Sequence, residues 1–555
     1  MTLKRFAFLA MAILATASST IACGSHDTNP AQGSDSDLAP ADTTDEPPSA
    51  EVDAQPSPAW ADCRPNTDPF PAPFASSVAA TRPLLHVEGR AVVDAAGQPV
   101  ALRGVNFGGW LQIETWLAGI GLLDEGELLE LMPVRATEHG VGDLFEAARR
   151  SNQADWLLER RSHWVLVNEW RAWMGERATE AERPGFDAFW AWFDTEPWIF
   201  EERSLWRWLD RRFGWQGRVE LRTAFQDHFV TELDVQRVAA LGLTVVRVPI
   251  WYELLETDVE GDNHFKPEGW KRLDDLVTWA RRHGVYVVLD LHGAPGGQNT
   301  QWHQGLENGG TLWHRTDCID KTVRLWQALA SHFAGEPHVA AYDLLNEPDR
   351  FVDLAAYRDV HEAIYRAIRQ VDPDHIVILE DGYRAPNLLI SPAELGWSNA
   401  MYSVHLYPEG AASAEDYARS VDDGLTFWAR VNQYAERYDC PVLVGELNAE
   451  AGSQDAWGPG ATDLALAALD GRGVHWTLWT WKWPWMGATW GVYAQPPGIA
   501  RKIDVKDASF DDIRAAFENL DSATFEPFEA YADVLRQRAG DPVSFVDLSE
   551  TAPRR

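Results

Sequence analysis

The 555-residue chain carries 48 Lys and Arg against 84 Asp and Glu, a net charge of −36. A surface this acidic repels phosphate backbones and anionic lipid; it argues against a nucleic-acid partner and suits an uncharged one, such as a poly- or oligosaccharide. With 45% hydrophobic residues there is material for one large core or two domains, and 28 tryptophans supply either core packing or the flat apolar faces that sugar clefts use.

Taken from its start, the chain opens with a targeting segment. Lys4 and Arg5 precede a short apolar run, Phe6 to Ala15, too short to span a membrane. Ile21-Ala22-Cys23-Gly24 follows and resembles a bacterial lipoprotein signal, with Thr20 where Leu is usual. The resemblance implies removal of residues 1–22 and lipidation of Cys23, which would tether the chain to a membrane. Cleavage without lipidation stays open, so the expected location is the bacterial cell envelope or the medium. Residues 23–80 are rich in Ser, Asp, Pro, Ala and Thr, and read as a disordered linker. Cys63, Cys318 and Cys440 allow a single internal disulfide at most, with its pairing open.

From residue 81 to about 540 apolar runs alternate with amphipathic stretches, and 541–555 form a tail. The runs are Ala101–Asn106, Leu243–Pro249, Val285–His292, Ala341–Glu347, Ile376–Glu380, Met401–Leu406, Pro441–Glu446 and His475–Trp481. Continuous apolar runs suit strands buried on both faces of a parallel sheet. Helical patterns such as Glu232–Leu241, Trp270–His283 and Thr322–Phe333 fall between them. Eight such units predict an α/β fold, a closed (β/α)8 barrel. No Gly-rich phosphate-binding fingerprint follows the first strand, which weakens a dinucleotide-binding alternative. Between the first and second strands, residues 107–230 read mostly as a large helical, Trp-rich insertion in the first βα loop. It either walls the cleft or caps the fold.

In a barrel the chemistry sits at the C-terminal strand ends. The first strand offers Asn106 and, beyond it, Glu114. The second offers Arg247, the third His292, and the fourth Asn346 and Glu347. The sixth gives His405 and Tyr407, the seventh Glu446, and the eighth Trp479 and Trp481. Two carboxylates closing buried strands on one face are costly without a purpose. Glycoside hydrolysis needs such a pair, one acid and one nucleophile, at roughly 5–5.5 Å for retention. Glu347 is the candidate acid, with a raised pKa, and Glu446 the nucleophile, kept ionised by Arg247 and Tyr407. Asn346 is placed to donate to a sugar 2-hydroxyl. No HExxH or similar His pair appears, so no metal is expected, and no cofactor is expected because the carboxylates do the chemistry. His303 and His314 read as loop or surface residues. Trp302, Trp483, Trp485 and Trp490 read as exposed, serving either as sugar platforms or in packing.

Asn346-Glu347-Pro348, His405-x-Tyr407 and Gly445-Glu446, in this order on strands four, six and seven, resemble glycoside hydrolase family 5, the cellulase family in the broad sense. The likeness covers about residues 84–540. Within that family the chain is most similar to the exo-β-1,3-glucanase branch. Arg103-Gly104-Val105-Asn106-Phe107-Gly108-Gly109-Trp110, Asp290-Leu291-His292-Gly293-Ala294-Pro295-Gly296-Gly297-Gln298-Asn299 and Trp479-Thr480-Trp481-Lys482 match it. The resemblance implies Glu347 as acid/base and Glu446 as nucleophile. It implies that Arg247, His292, Asn346, His405 and Tyr407 line the subsite of the reacting sugar, with Trp479 rather than Trp481 stacked beneath it. It also implies that Glu114 touches a terminal glucose. Trp302 stands where that branch has an Asp, so linkage and chain-end preference stay open. The expected activity is retaining hydrolysis of β-glucans or β-glucosides, β-1,3-glucan favoured. A non-catalytic carbohydrate-binding protein on the same scaffold, or the same mechanism on a mannan or glycolipid, are the alternatives.

Overall fold

The structure is a computed structural model. It describes residues 63–115, 117–120, 125–151, 163–195, 201–257, 263–306, 309–349, 352–382, 389, 391–407, 430–448, 458–484, 490–496, 498–499 and 503–540. The targeting segment, Cys23, the linker up to residue 62, Trp485 and the 541–555 tail lie outside the described residues.

Eight parallel strands close into a barrel: β1 (Arg103–Asn106), β2 (Val245–Trp251), β3 (Tyr286–Gly293), β4 (Val339–Asp343), β5 (Ile376–Glu380), β6 (Ala400–Leu406), β7 (Val442–Leu447) and β8 (His475–Leu478). Each pairs with its sequence neighbour, and β8 closes on β1. Every residue of β1 to β8 is buried, as β-branched and aliphatic runs require when side chains meet a packed interior on one face and helices on the other. The helix Pro267–His283 shows how the outer layer forms. Pro267 stands at its first turn, Trp270, Leu273, Leu276, Val277 and Ala280 make its buried stripe, and Gly284 ends it in the left-handed region at φ 70°.

Three strands are shorter than their apolar runs; β1 begins only at Arg103. β4 stops at Asp343, because the chain turns away before Glu347, whose φ is 42°. β8 stops at Leu478, so the in–out alternation does not extend to Trp481.

Helices Glu125–Glu138, Gly142–Ser151, His163–Arg177 and Arg183–Thr195 follow β1. They hold a core of their own around Met132, Phe145, Trp170, Met174, Phe189 and Trp190. The next helix, Glu202–Phe229, bends at Gly214. Its Leu205, Trp206, Leu209, Leu221, Phe225 and Phe229 belong to the barrel core. The end of the 107–230 stretch is therefore part of the barrel's outer layer.

The segment read as linker is ordered against the barrel from residue 63. Cys63 is disulfide-bonded to Cys318, Asn66 Nδ2 donates to Glu256 Oε2 at 2.6 Å, and the Phe74 amide donates to His332 O at 2.7 Å. Phe70 and Phe74 pack against the core; two aromatic anchors are invisible in an averaged composition. Cys440 is buried and free, its thiol pushed up to about 12 by burial. Among the described residues no helix is long and apolar enough to cross a membrane.

Candidate active site

Arg247 sits on β2 with no solvent exposure. A buried guanidinium must be matched by acceptors around its whole edge. Nε meets Asp343 Oδ2 at 2.9 Å; Nη2 meets Asp290 Oδ2 at 3.1 Å and Glu380 Oε1 at 2.8 Å; Nη1 meets Glu446 Oε1 at 2.9 Å. Asn106 Oδ1 at 3.1 Å and Asn346 Oδ1 at 2.9 Å complete the set. Burial would lower the Arg247 pKa, but Asp290, Asp343, Glu380 and Glu446 hold it well above its ordinary value. Burial in turn pushes Asp290 well above the usual carboxylate range and, with the charge of Glu380, pushes Asp343 up to about 7. Oxygens of Asp290, Asp343 and Glu380 converge within 4.8 Å, a spacing that could hold a metal ion, yet the Arg247 guanidinium already supplies the cation there.

Above this layer stand the two glutamates. Glu446, on β7, takes Arg247 Nη1 on Oε1 and the Tyr407 hydroxyl on Oε2 at 2.6 Å. Glu347, past the end of β4, adopts the left-handed region, which is strained for a non-glycine residue. Its amide donates to Glu380 Oε2 at 2.6 Å and its carbonyl accepts from Asn299 Nδ2 at 2.9 Å. Both contacts pin the turn that aims its side chain. His405 lies between the glutamates: Nδ1 is 2.7 Å from Glu347 Oε1 and 3.6 Å from Glu446 Oε2, and Nε2 is 3.2 Å from Glu380 Oε1. Burial alone would lower its pKa, but Glu380, Glu446 and the hydrogen bond with Glu347 hold it well above the ordinary histidine value. It is an imidazolium that donates to Glu347. One oxygen each of Glu347 and Glu446 lies within 4.8 Å of the other, a spacing suited to a sugar held between an acid and a nucleophile.

His292 is the counterpart of opposite charge state. Burial holds its pKa well below the ordinary value, so the ring is neutral. Nδ1 pairs with Asp290 Oδ2 at 2.8 Å, Nε2 faces Asn346 Nδ2 at 3.3 Å, and the ring stacks on Trp479 with centroids 5.7 Å apart.

Asn106, Arg247, His292, Asn346, Glu347, His405, Tyr407, Glu446 and Trp479 thus form one constellation. The structure places the remaining expected residues as follows. Arg247 and Asn346 are fully buried beneath the glutamates, and the Asn346 carbonyl oxygen Oδ1 is taken by Arg247. Trp481 is core: its Nε1 donates to Asp234 Oδ1 at 2.9 Å and its ring packs on Phe107 and Tyr493, because the strand has already ended. Glu114 is buried in the loop after β1, where its carbonyl accepts from the Ala118 amide. Trp483 is buried beside Leu117 and Trp479, and Trp490 is half-buried, 6.4 Å from the Tyr407 ring. Trp302 is likewise half-buried and His314 exposed.

Four residues escaped the sequence reading. Asp290 interrupts the apolar run of β3, and Asp343 and Glu380 close β4 and β5; a charged residue on a buried apolar strand is the signal in each case. His303 left none: it lies in the one-turn 3-10 helix Trp302–Gln304, and only loop closure brings its Nε2 to 3.3 Å from Glu347 Oε2.

A family model described as Cellulase (glycosyl hydrolase family 5) matches residues 213–483. The chain is similar to a Beta-xylosidase of Phanerodontia chrysosporium, 38% identical over 190 residues, 33% of this chain and 38% of that protein. It is also similar to a Probable glucan 1,3-beta-glucosidase A of Aspergillus fumigatus, 31% identical over 273 residues, 46% of this chain and 59% of that one. These matches span less than two thirds of either relative's length. A solved beta-glucanase of Saccharophagus degradans aligns over 75% of this chain and 89% of its own at 16% identity, with a TM-score of 0.41.

Proposed function

Residues 213–483 match glycosyl hydrolase family 5, and on that premise we propose that the chain is a retaining β-glycosidase of this family in which Glu446 is the nucleophile and Glu347 the acid/base. The observation that carries this reading is the glutamate pair itself: one oxygen of each within 4.8 Å of the other, Glu446 held by Arg247 and Tyr407, Glu347 by His405. In the first step Glu446 attacks the anomeric carbon, the glycosidic C–O bond breaks, and the Glu347 proton passes to the departing oxygen. In the second, water gives its proton to Glu347 and attacks the same carbon, releasing Glu446 with net retention. Arg247 and Tyr407 each hold one oxygen of Glu446 and fix its direction of attack.

The substrate we favour is a β-1,3-glucan or β-glucoside. The 31%-identical relative bears the name glucan 1,3-beta-glucosidase, and a neutral polymer suits a chain of net charge −36. The 38%-identical relative named a Beta-xylosidase favours a second reading, the same mechanism on a β-xyloside. The Cys63–Cys318 disulfide supports an exported enzyme, since such bonds persist in oxidising compartments.

Covalent trapping tests the mechanism. A 2-deoxy-2-fluoro-β-glycosyl fluoride should label Glu446, read by peptide mass spectrometry; no label, or a label elsewhere, would overturn the assignment and favour a mere binder. Hydrolysis of laminarin, cellulose, β-1,6-glucan, mannan, glucosylceramide and an aryl β-xyloside then ranks the substrates. Release of glucose alone from laminarin supports an exo-acting β-1,3-glucanase, and early mixed oligomers count against it.

A further inference from the structure

We propose that His303 is a positioning residue for the acid/base, holding the proton of Glu347 on the carboxyl oxygen that faces the leaving group; this rests on the reading of Glu347 as acid/base. Glu347 presents two oxygens in different surroundings. Oε1 lies 2.7 Å from His405 Nδ1, whose imidazolium is a donor at that atom. An oxygen that already accepts from a cation is the poorer place for a proton. The proton that the first step requires therefore sits on Oε2, and His303 Nε2 lies beside Oε2 at 3.3 Å. An imidazole nitrogen accepts from a carboxylic acid in one tautomer and donates to a carboxylate in the other. His303 thus accepts from Oε2–H before the sugar arrives and yields to the glycosidic oxygen as the C–O bond breaks. The ring keeps one tautomer throughout, and the second step returns a proton from water to the same Oε2. No atom or electron is exchanged beyond the proton already counted in the two steps.

The loop that carries His303 is built to hold this distance. Gln298 Nε2 donates to His292 O at 2.7 Å and to Asn346 O at 2.9 Å, and Asn299 Nδ2 donates to Glu347 O. The loop is therefore fastened to the backbone of the glutamate it serves. On its far side the Arg203 amide donates to Gly305 O at 3.2 Å, and Gly305 has φ 82°, which a side chain rarely adopts. The helix Glu202–Phe229 thus braces the turn from the insertion side. The His303 ring packs edge-on to His292, 5.8 Å between centroids, which limits its rotation.

A leaving-group comparison tests the proposal. A 2,4-dinitrophenyl β-glycoside departs without protonation, whereas a disaccharide needs the acid. His303→Ala should lower kcat/KM on the disaccharide by about tenfold or more while changing the dinitrophenyl substrate less than about threefold. His303→Gln, which keeps a donor and an acceptor near the same place, should recover most of the loss. An equal loss on both substrates, or no loss on either, would overturn the proposal. Glu347→Ala is run beside them: azide rescue with formation of a glycosyl azide reports on the acid/base reading itself, so a failure there is distinct from a failure at His303.

Discussion

The Tyr407 hydroxyl donates to Glu446 Oε2 at 2.6 Å while Arg247 occupies Oε1, so each oxygen of this carboxylate has its own donor. A phenol next to a buried carboxylate stabilises the ionised form and leaves the fold's apolar packing untouched when its oxygen is removed. Tyr407→Phe should therefore lower kcat by about 10–100-fold, the equivalent of about 1.5–3 kcal/mol for a hydrogen bond to a charged acceptor. KM should change little and the melting temperature should stay within a few degrees. Steady-state kinetics with a thermal melt checks this, and an unchanged kcat would remove Tyr407 from the chemistry.

Much of this layout is legible in the sequence, and the reason is periodicity. Eight apolar runs place β1 to β8, and polar residues at their ends mark Arg247, His292, His405 and Glu446. What escapes is set by closure rather than by pattern. The Arg247 guanidinium needs Asp290, Asp343 and Glu380 from three different strands, which meet only when the barrel closes. Trp481 shares a sequence face with Trp479, but the strand ends at Leu478, before both, and the two side chains part. His303 acquires its partner through a loop whose path depends on Gln298 and Asn299 finding the backbone of Asn346 and Glu347. Linear spacing carries no trace of these tertiary contacts.

The divergence of Trp479 and Trp481 makes a paired prediction. Trp479 stacks on His292 at the site, and Trp481 bonds Asp234 within the core. Trp479→Ala should weaken binding, raising KM or lowering kcat/KM about tenfold or more, with a modest loss of stability. Trp481→Ala should instead cost about 3–5 kcal/mol of stability through the cavity and the donor lost by Asp234 Oδ1. Denaturant titration of both variants, with kinetics below the transition, separates the roles. A Trp481 variant as stable as its parent would contradict the packing assignment.

The Cys63–Cys318 bridge closes a loop with a sequence separation of 255 residues. Cross-linking so long a loop restricts the unfolded chain, and losing it costs about 2–5 kcal/mol. It also lies close to the site loop, since a methyl added at Gly296 would come within 2.8 Å of Cys318 Sγ. Cys63→Ser with Cys318→Ser should lower the melting temperature by several degrees, and dithiothreitol should affect the parent but not this variant. A parent insensitive to reductant even when unfolded would mean that the bridge does not form.

Glu202 gives the stability a pH dependence whose sign can be worked out. The carboxyl is fully buried, accepting from the Ile113 amide at 2.7 Å and Trp206 Nε1 at 2.8 Å, with Arg222 at 3.3 Å. Burial pushes its pKa up from 4.5 to about 7 in spite of Arg222 and these donors. Between those values the folded chain keeps a proton that the unfolded chain has lost. Stability therefore falls as pH rises through that window, and the penalty is complete above about 7, where it amounts to about 3 kcal/mol at most. His475 opposes it: burial lowers that pKa to about 4, so the folded ring stays neutral while the unfolded one is protonated below 6.5, and stability rises with pH there. The net curve mixes both, but the difference between parent and Glu202→Gln cancels the histidine. The variant should gain on the parent steadily from pH 4.5 to about 7 and then hold a constant margin, whatever its offset at low pH. Two parallel unfolding curves across that range would show that Glu202 ionises in the folded chain as readily as in water.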